Sequence, residues 1–342
     1  MKFGLTPLPE ALGAIAVHSV RTRDRLVRKG AAISREDLVA LHTAGIFEIM
    51  TARLEPGDVG EDEAATALAN AIAGNEIEVE AAFTGRSNLR AVRPGIVAID
   101  RAGVDQLNAV HEAVTFATRF PFQPVLAGEV VGTIKIIPFA IHEDVLRKAL
   151  AVARPVLAIT PYTVKSVALI STRLPGLSEK VIDKTLRVTE ARLQPAGAAI
   201  CSEQRVPHAP DEIAKCIGTA IKSGAELVII LGATAIADRR DIVPSALTRA
   251  GGKIEHFGVP VDPGNLMLIG RVDGVPVIGA PGCARSAKPS GFDRVLARLL
   301  TALPITRDDV TTLGVGGLLL EAGARPQEQE NLSLRIAAQK GA

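Results

Sequence analysis

Hydrophobic and polar positions follow two different rhythms along the chain. Up to about residue 150 the apolar runs are short and broken by charge. Ala11 to Val17 reads as a short strand or helix edge. Ile33 to Gly45 has the helical period, with Ser34 placed as N-cap, Asp37 three residues on and Gly45 at the exit. Ile46 to Ala52 alternates as a strand does. A second helix is predicted from about Glu61 to Ala73, and its acidic first turn (Glu61, Asp62, Glu63) suits the positive end of the helix dipole. Glu76 to Phe83 alternates cleanly, as a half-exposed strand, and Gly85 to Asn88 reads as a turn. The pattern over residues 103–118 is helical, Val130 to Pro138 is a strand, and helix residues follow to about Ala153.

Past a boundary between Arg154-Pro155 and Pro161-Tyr162, long apolar runs alternate with amphipathic stretches. Ser166 to Thr172, Ala198 to Cys201 and Glu226 to Leu231 read as strands. Between them lie a helix capped by Ser178, with Val181, Ile182, Leu186 and Leu193 on one face, and a helix from Asp211 to about Lys222. A helix from Asp241 to about Ala250 follows. Asp273-Gly274, flanked by Met267–Val272 and Val275–Ile278, is a hairpin signal. Pro289 to about Ala302 is a helix bearing Phe292, Val295, Leu296 and Leu299. Strands alternating with helices predict an α/β fold, a three-layer α/β/α domain with a mostly parallel sheet, beside an N-terminal α+β region. The expected divisions are 1–155, 156–325 and a polar tail, 326–342.

Composition narrows the function classes. The chain has 342 residues, of which 47% are hydrophobic and only 3% aromatic, with no Trp and one Tyr. The core must therefore be built from Ala, Val, Leu and Ile. A net charge of +2 and so few aromatics argue against nucleic acid. Cys201, Cys216 and Cys283 form neither a disulfide framework nor a CxxC metal pattern, which suits a reducing cytoplasm. No apolar run approaches the roughly 18 residues of a membrane span, and no secretory leader is expected. The basic patch Arg21, Arg23, Arg25, Arg28 and Lys29 reads as a solvated loop, or as a rim that attracts an anion.

The candidate chemistry lies between Glu226 and Ser286. Two apolar runs each end in a small-residue loop that enters a helix, Gly232-Ala-Thr-Ala-Ile-Ala-Asp-Arg-Arg-Asp241 and Gly279-Ala-Pro-Gly-Cys-Ala-Arg-Ser286. Ligands of parallel sheets bind outside the carboxyl ends of the strands. Backbone N–H groups in such loops, with a helix N-terminus, suit a phosphate. Gly232, Ala233 and Gly282 would give the close backbone, and Arg285 or Arg239 the cation. Asp241 suits either Mg²⁺ or the N-cap of the following helix. His208 at a strand end reads as a hydrogen-bonded loop residue rather than a ligand. Cys283 suits a small buried position better than a metal contact.

These loops, with Ile170-Ser-Thr-Arg173, Ile182-Asp-Lys-Thr185 and Pro263-Gly-Asn265, occur in the order and spacing of a known family. The region from about Val164 to Leu303 resembles the molybdopterin-binding domain of the molybdenum insertases (molybdopterin molybdotransferases) and their single-domain relatives. The resemblance implies a cytoplasmic, homodimeric transferase of molybdenum cofactor biosynthesis. Its ligands would be molybdopterin, free or nucleotide-activated, with Mg²⁺ and molybdate. The alternative is a non-catalytic carrier of the cofactor that partners a nucleotidyltransferase or a molybdoenzyme. The implied cofactor-binding residues are Thr172, Asp183, Gly232, Ala233, Thr234, Pro281, Gly282, Cys283, Arg285 and Ser286, with Asp241 as catalytic and metal-binding residue. Two departures stand out. Arg173-Leu-Pro175 replaces an Asp-Glu pair at a strand end, and His208-Ala209-Pro210 replaces Asp-Asp-Pro. The family's Met-Asp-Gly-Tyr-Ala segment is absent.

Overall fold

The structure is a computed structural model that describes residues 1–176 and 178–319. The expected tail, 326–342, and the last residues of the expected second domain lie outside the described residues. The chain forms two compact units, Met1–Tyr162 and Thr163–Ala342. A strand absent from the sequence reading, Leu157–Pro161, pairs antiparallel with Gly95–Ile99 and so belongs to the first unit.

The first unit has two cores. The smaller packs Leu8, Ala11, Ala16, Val27, Ile33, Leu41 and Ile49, beside a sheet in which Glu48–Arg53 lies between Lys2–Pro7 and Ile15–Ala16. Its helix, Arg35–Thr43, starts where the sequence places it. Ser34 Oγ accepts the Asp37 N–H at 3.2 Å, and Asp37 accepts the Ser34 N–H at 2.9 Å, a full capping box. Asp37 also pairs with Arg25, so one member of the basic patch is engaged. The larger core packs the helix Glu61–Ile72, through Ala64, Ala65, Leu68 and Ile72, against a four-stranded antiparallel sheet.

Here the sequence reading needs two corrections. Residues 103–118 are not one helix: Arg101–Asn108 is helical, capped by Asp100, and Val114–Thr118 is a strand beside Val130–Ile136. The β-branched residues Val114, Thr115 and Thr118 favour that sheet position over the helical period. The turn expected at Gly85–Asn88 lies earlier. Phe83 and Arg86 exchange backbone hydrogen bonds, and a strand already runs from Arg86 to Ala91.

The second unit is built on a six-stranded sheet. Its order across the sheet is Ala199–Pro207, Ser166–Arg173, Leu227–Leu231, Val275–Ala280, Leu268–Val272 and Lys253–Phe257. The first four are mutually parallel, and Leu268–Val272 is antiparallel to both of its neighbours, so Lys253–Phe257 runs in the direction of the first four. The fold class is therefore the expected one, with one strand, Lys253–Phe257, that the sequence reading lacks. Ala168, Ile170, Val228 and Ile230 pack with Ile213 and Ile217 of the helix Pro210–Lys222 and with Val243 and Leu247 of Ile242–Arg249. The alternate residues Val167, Leu169, Leu227 and Ile229 are buried on the opposite face. That face takes the helices Glu179–Leu193 and Gly291–Leu300, because successive crossovers to either side of the 166–173 strand are right-handed. Asp273 and Gly274 both have positive φ, 48° and 83°, as a type I′ hairpin turn requires.

The helix Glu179–Leu193 buries Ile182, Thr185, Thr189 and Leu193, whereas Val181 is exposed. The buried face is thus turned from the one expected on apolar positions alone. The 199–207 strand is longer than its predicted Ala198–Cys201, and it is an edge strand with most of its residues partly exposed.

Candidate functional site

The parallel register aligns the loops that matter. Leu231 lies opposite Ser171 on one side and Ala280 on the other, and Arg173 lies opposite Pro207. Thr172, His208, the loop after Leu231 and the loop after Ala280 therefore share the carboxyl edge of the sheet. The two small-residue loops of the sequence form one neighbourhood.

Thr172 is buried, and its Oγ1 accepts the Ala233 N–H at 2.7 Å. The same oxygen is 2.8 Å from His208 Nδ1, and His208 Nε2 is 3.0 Å from Thr234 Oγ1. A hydroxyl can accept two hydrogen bonds and donate one, so Thr172 and Thr234 satisfy the two ring nitrogens in either tautomer. Partial burial lowers the His208 pKa against the opposing pull of Asp241, which favours the neutral ring. Thr234 is exposed. His208 is the hydrogen-bonded loop residue that the sequence suggests, and it ties together three strand ends.

The 232–241 loop closes on Asp241, the N-cap of the 242–249 helix. Its Oδ1 accepts the Ile242 N–H at 2.7 Å and its Oδ2 the Ala237 N–H at 3.0 Å. The intervening N–H groups of Thr234, Ala235 and Ile236 donate to no acceptor among the described residues. At Gly232 a Cβ would come within 2.9 Å of Thr234 O, so the tight turn requires glycine.

The second loop leaves the sheet at Pro281 and turns through the short 3₁₀ helix Gly282–Arg285. A Cβ on Gly282 would meet nothing within 4 Å, which leaves open space above the backbone. Arg285 is half-buried and reaches across to the first loop. Its Nη2 donates to Gly232 O at 2.7 Å, and its Nη1 lies 3.5 Å from Thr185 Oγ1. Burial lowers its pKa, but a guanidinium remains charged. Its other N–H donors have no protein acceptor among the described residues. Burial pushes the Cys283 thiol up, so it is a thiol at neutral pH, and Ser286 Oγ accepts the Lys288 N–H at 3.2 Å. One further group lies at this edge: Ser171 Oγ is buried and without a hydrogen-bond partner among the described residues.

Asp183 is placed differently. Its Oδ1 accepts from Arg205 Nη2 at 2.7 Å, within a surface cluster that also holds Glu179, Glu203 and Arg173. Two helical residues apart is about 200° around the axis. Asp183 therefore faces away from the side on which Thr185 meets Arg285. Among the described residues there is no group of three His, Cys, Asp or Glu that could hold a metal. Sequence reasoning missed Ser171, Thr185 and above all Arg192, whose guanidinium holds the 284–288 carbonyls. An Arg in a helix otherwise rich in charge carries no signal of that kind.

Residues 166–302 match the family model of a probable molybdopterin binding domain. The match lies within the second unit. The match begins on the first residue of the 166–173 strand and ends just past the 291–300 helix, so it spans the whole sheet and both small-residue loops. Solved structures with a likeness to the chain include a molybdopterin biosynthesis MoeA protein from Pyrococcus horikoshii. It is 15% identical over 88% of this chain and 75% of its own, with a TM-score of 0.31. The molybdopterin biosynthesis enzyme MoaB from Thermus thermophilus is 19% identical over 41% of this chain and 98% of its own, with a TM-score of 0.29. The protein CinA from Thermoplasma acidophilum is 17% identical over 40% and 98%, also with a TM-score of 0.29. No curated protein sequence matches the chain. Among the described residues, no helix is long and apolar enough to cross a membrane.

Proposed function

We propose that the molybdopterin-binding domain holds molybdopterin by its phosphate, and that the protein serves molybdenum cofactor biosynthesis as a binding and hand-over module. One observation carries this reading. The carboxyl edge of the sheet offers a half-buried Arg285 with uncommitted donors, three free N–H groups and the orphaned Ser171 hydroxyl among the described residues. A buried hydroxyl without a partner is costly, and an anion oxygen would satisfy it. Such a donor set fits a phosphate. The pterin itself would supply the dithiolene sulfurs that take molybdenum.

The second reading is molybdate insertion into nucleotide-activated molybdopterin. Asp241 favours it, as a carboxylate within electrostatic reach of His208 at the sheet edge. Both Asp241 oxygens already accept backbone N–H groups, and no group of three His, Cys, Asp or Glu that could hold a metal forms among the described residues. A hard divalent ion takes about six oxygen ligands, so Mg²⁺ here would depend mostly on phosphate and water. Homodimerisation belongs to either reading. The edge strand Lys2–Pro7 exposes Phe3 and Leu5, and edges invite pairing.

Ligand identification by mass spectrometry and pterin fluorescence on purified protein tests the first reading. A phosphorylated pterin should co-purify, and its absence together with failure to bind added molybdopterin would refute pterin binding. Adding molybdate and Mg²⁺ to protein loaded with nucleotide-activated molybdopterin separates the two readings. Nucleotide release signals insertion, and retention of the intact ligand signals a carrier. A monomer by light scattering at micromolar concentration counts against the dimer.

A further inference from the structure

Arg192 lies near the end of the 179–193 helix, and its side chain is only 10% exposed. An arginine buried to that degree must have its donors engaged. Its Nε donates to Asp293 Oδ1 at 2.6 Å, its Nη1 to Ala284 O at 2.8 Å, and its Nη2 to Ser286 O, with Lys288 O at 3.5 Å. The guanidinium also lies 5.6 Å from the centre of the Phe292 ring, at cation–π distance. Asp293 is fixed in turn, because its other oxygen accepts from Ser290 N and Ser290 Oγ at the start of the 291–300 helix.

The spacing of these acceptors is informative. Ala284 and Ser286 flank Arg285, so Arg192 grips the chain on both sides of the residue whose guanidinium reaches Gly232 O in the other loop. We propose that Arg192 is the positioning residue of the anion site. It fixes the carbonyls on either side of Arg285, and thereby sets the Arg285 guanidinium and, through Gly232 O, the neighbouring 232–236 loop. A planar fork with five donors can span carbonyls on alternate residues, whereas an ammonium is a single point. Lysine at position 192 would keep the charge opposite Asp293 and lose the grip.

The assignment rests on the phosphate-binding reading above, and its test separates the two. Full-length protein is titrated with a fluorescent pterin bearing a terminal phosphate and with its dephosphorylated counterpart. Arg285→Ala should weaken binding of the phosphorylated probe by about 10–100-fold, and Arg192→Lys by about 5–10-fold. The double variant should bind no more weakly than Arg285→Ala, because one residue acts through the other. Effects that multiply, or an unchanged Arg192→Lys, overturn the proposal. Hydrogen exchange without ligand gives a second readout. Both single variants should speed exchange of the hydrogen-bonded amides of Ala233 and Ala237, and acceleration confined to residues 282–290 in Arg192→Lys refutes the assignment. If the wild type binds neither probe, the functional reading fails, and exchange alone decides the role of Arg192. Should Arg192→Lys fold poorly, Asp293→Asn loosens the same tether while keeping an oxygen for Ser290, and the same outcomes apply.

Discussion

Replacing Asp241 by Asn removes one of two acceptors from a loop that uses both. The carboxylate receives the Ile242 N–H at 2.7 Å and the Ala237 N–H at 3.0 Å. Asparagine can cap the 242–249 helix through its single oxygen, and as a cap it is nearly as good as aspartate. Its amide NH₂ must then face the second N–H, donor against donor. The loss is one charge-assisted hydrogen bond at a half-buried position, so the cost should be about 1–2 kcal/mol. In a unit of this size that lowers the melting temperature by about 2–8 °C. Thermal denaturation followed by circular dichroism measures it. An unchanged melting temperature would refute the view that Asp241 clamps the loop. The same variant tests the metal. If Mg²⁺ tightens pterin binding to the wild type and not to Asp241→Asn, the carboxylate ligates the ion. If chelation alters neither protein's affinity, Asp241 works only through the backbone.

Single contacts carry two more predictions. Burial holds the pKa of His208 below its ordinary 6.5, and His256 is depressed in the same direction. The folded state then binds fewer protons than the unfolded chain between the lowered value and 6.5, so stability should fall as pH drops below about 6.5. His208→Gln should lessen that loss, as read from denaturant midpoints near pH 5 and pH 7.5; an identical pH dependence would contradict a half-buried His208 that is neutral in the fold. At Gly279 a Cβ would lie 2.6 Å from Ile236 Cδ1 and 3.0 Å from Leu268 Cβ, whereas at Gly282 it meets nothing within 4 Å. Gly279→Ala should cost about 1–3 kcal/mol by overpacking, while Gly282→Ala should leave stability unchanged and weaken pterin binding by intruding on the ligand's space.

What the sequence made legible was local. The Ser34–Asp37 capping box, the Asp273-Gly274 hairpin and the buried run Leu227–Leu231 are specified by neighbouring residues, and each forms where expected. Failures arose where a tertiary partner decided. Thr185 and Thr189 are polar in the sequence but buried in the fold, because each hydroxyl donates to a carbonyl one turn back, at 2.7 and 2.9 Å. Satisfied in this way they pack like valine, and the helix rotates its buried face away from Val181. Val114–Thr118 becomes a strand because Val130–Ile136 offers it a sheet edge. Arg192 is legible only through Asp293, 101 residues away. Among the candidate site residues, the two loops were readable because small residues directly after a buried apolar run leave the backbone open at a strand end. The Asp183 assignment ignored Arg205, a competitor for its charge that sits on another strand.

The exchange of acids at the strand ends alters what this edge of the sheet can attract. Arg173 stands where the resembled family has an Asp-Glu pair, and its charge is drawn aside by Glu179 at 3.0 Å. Arg205 is likewise absorbed by Glu179, Glu203 and Asp183. His208, in the place of a carboxylate, is neutral and spends both ring nitrogens on threonines. Asp241 spends both oxygens on backbone N–H groups. Among the described residues, Arg285 is the charged group that bridges these loops and keeps free hydrogen-bonding capacity, and it is a donor. Preorganised donors around a cation favour an anion and disfavour a second cation. Uncommitted donors thus remain at this edge while the negative charge that would gather a metal is dispersed, and for that reason the proposed retention of the cofactor has more support here than chemistry upon it.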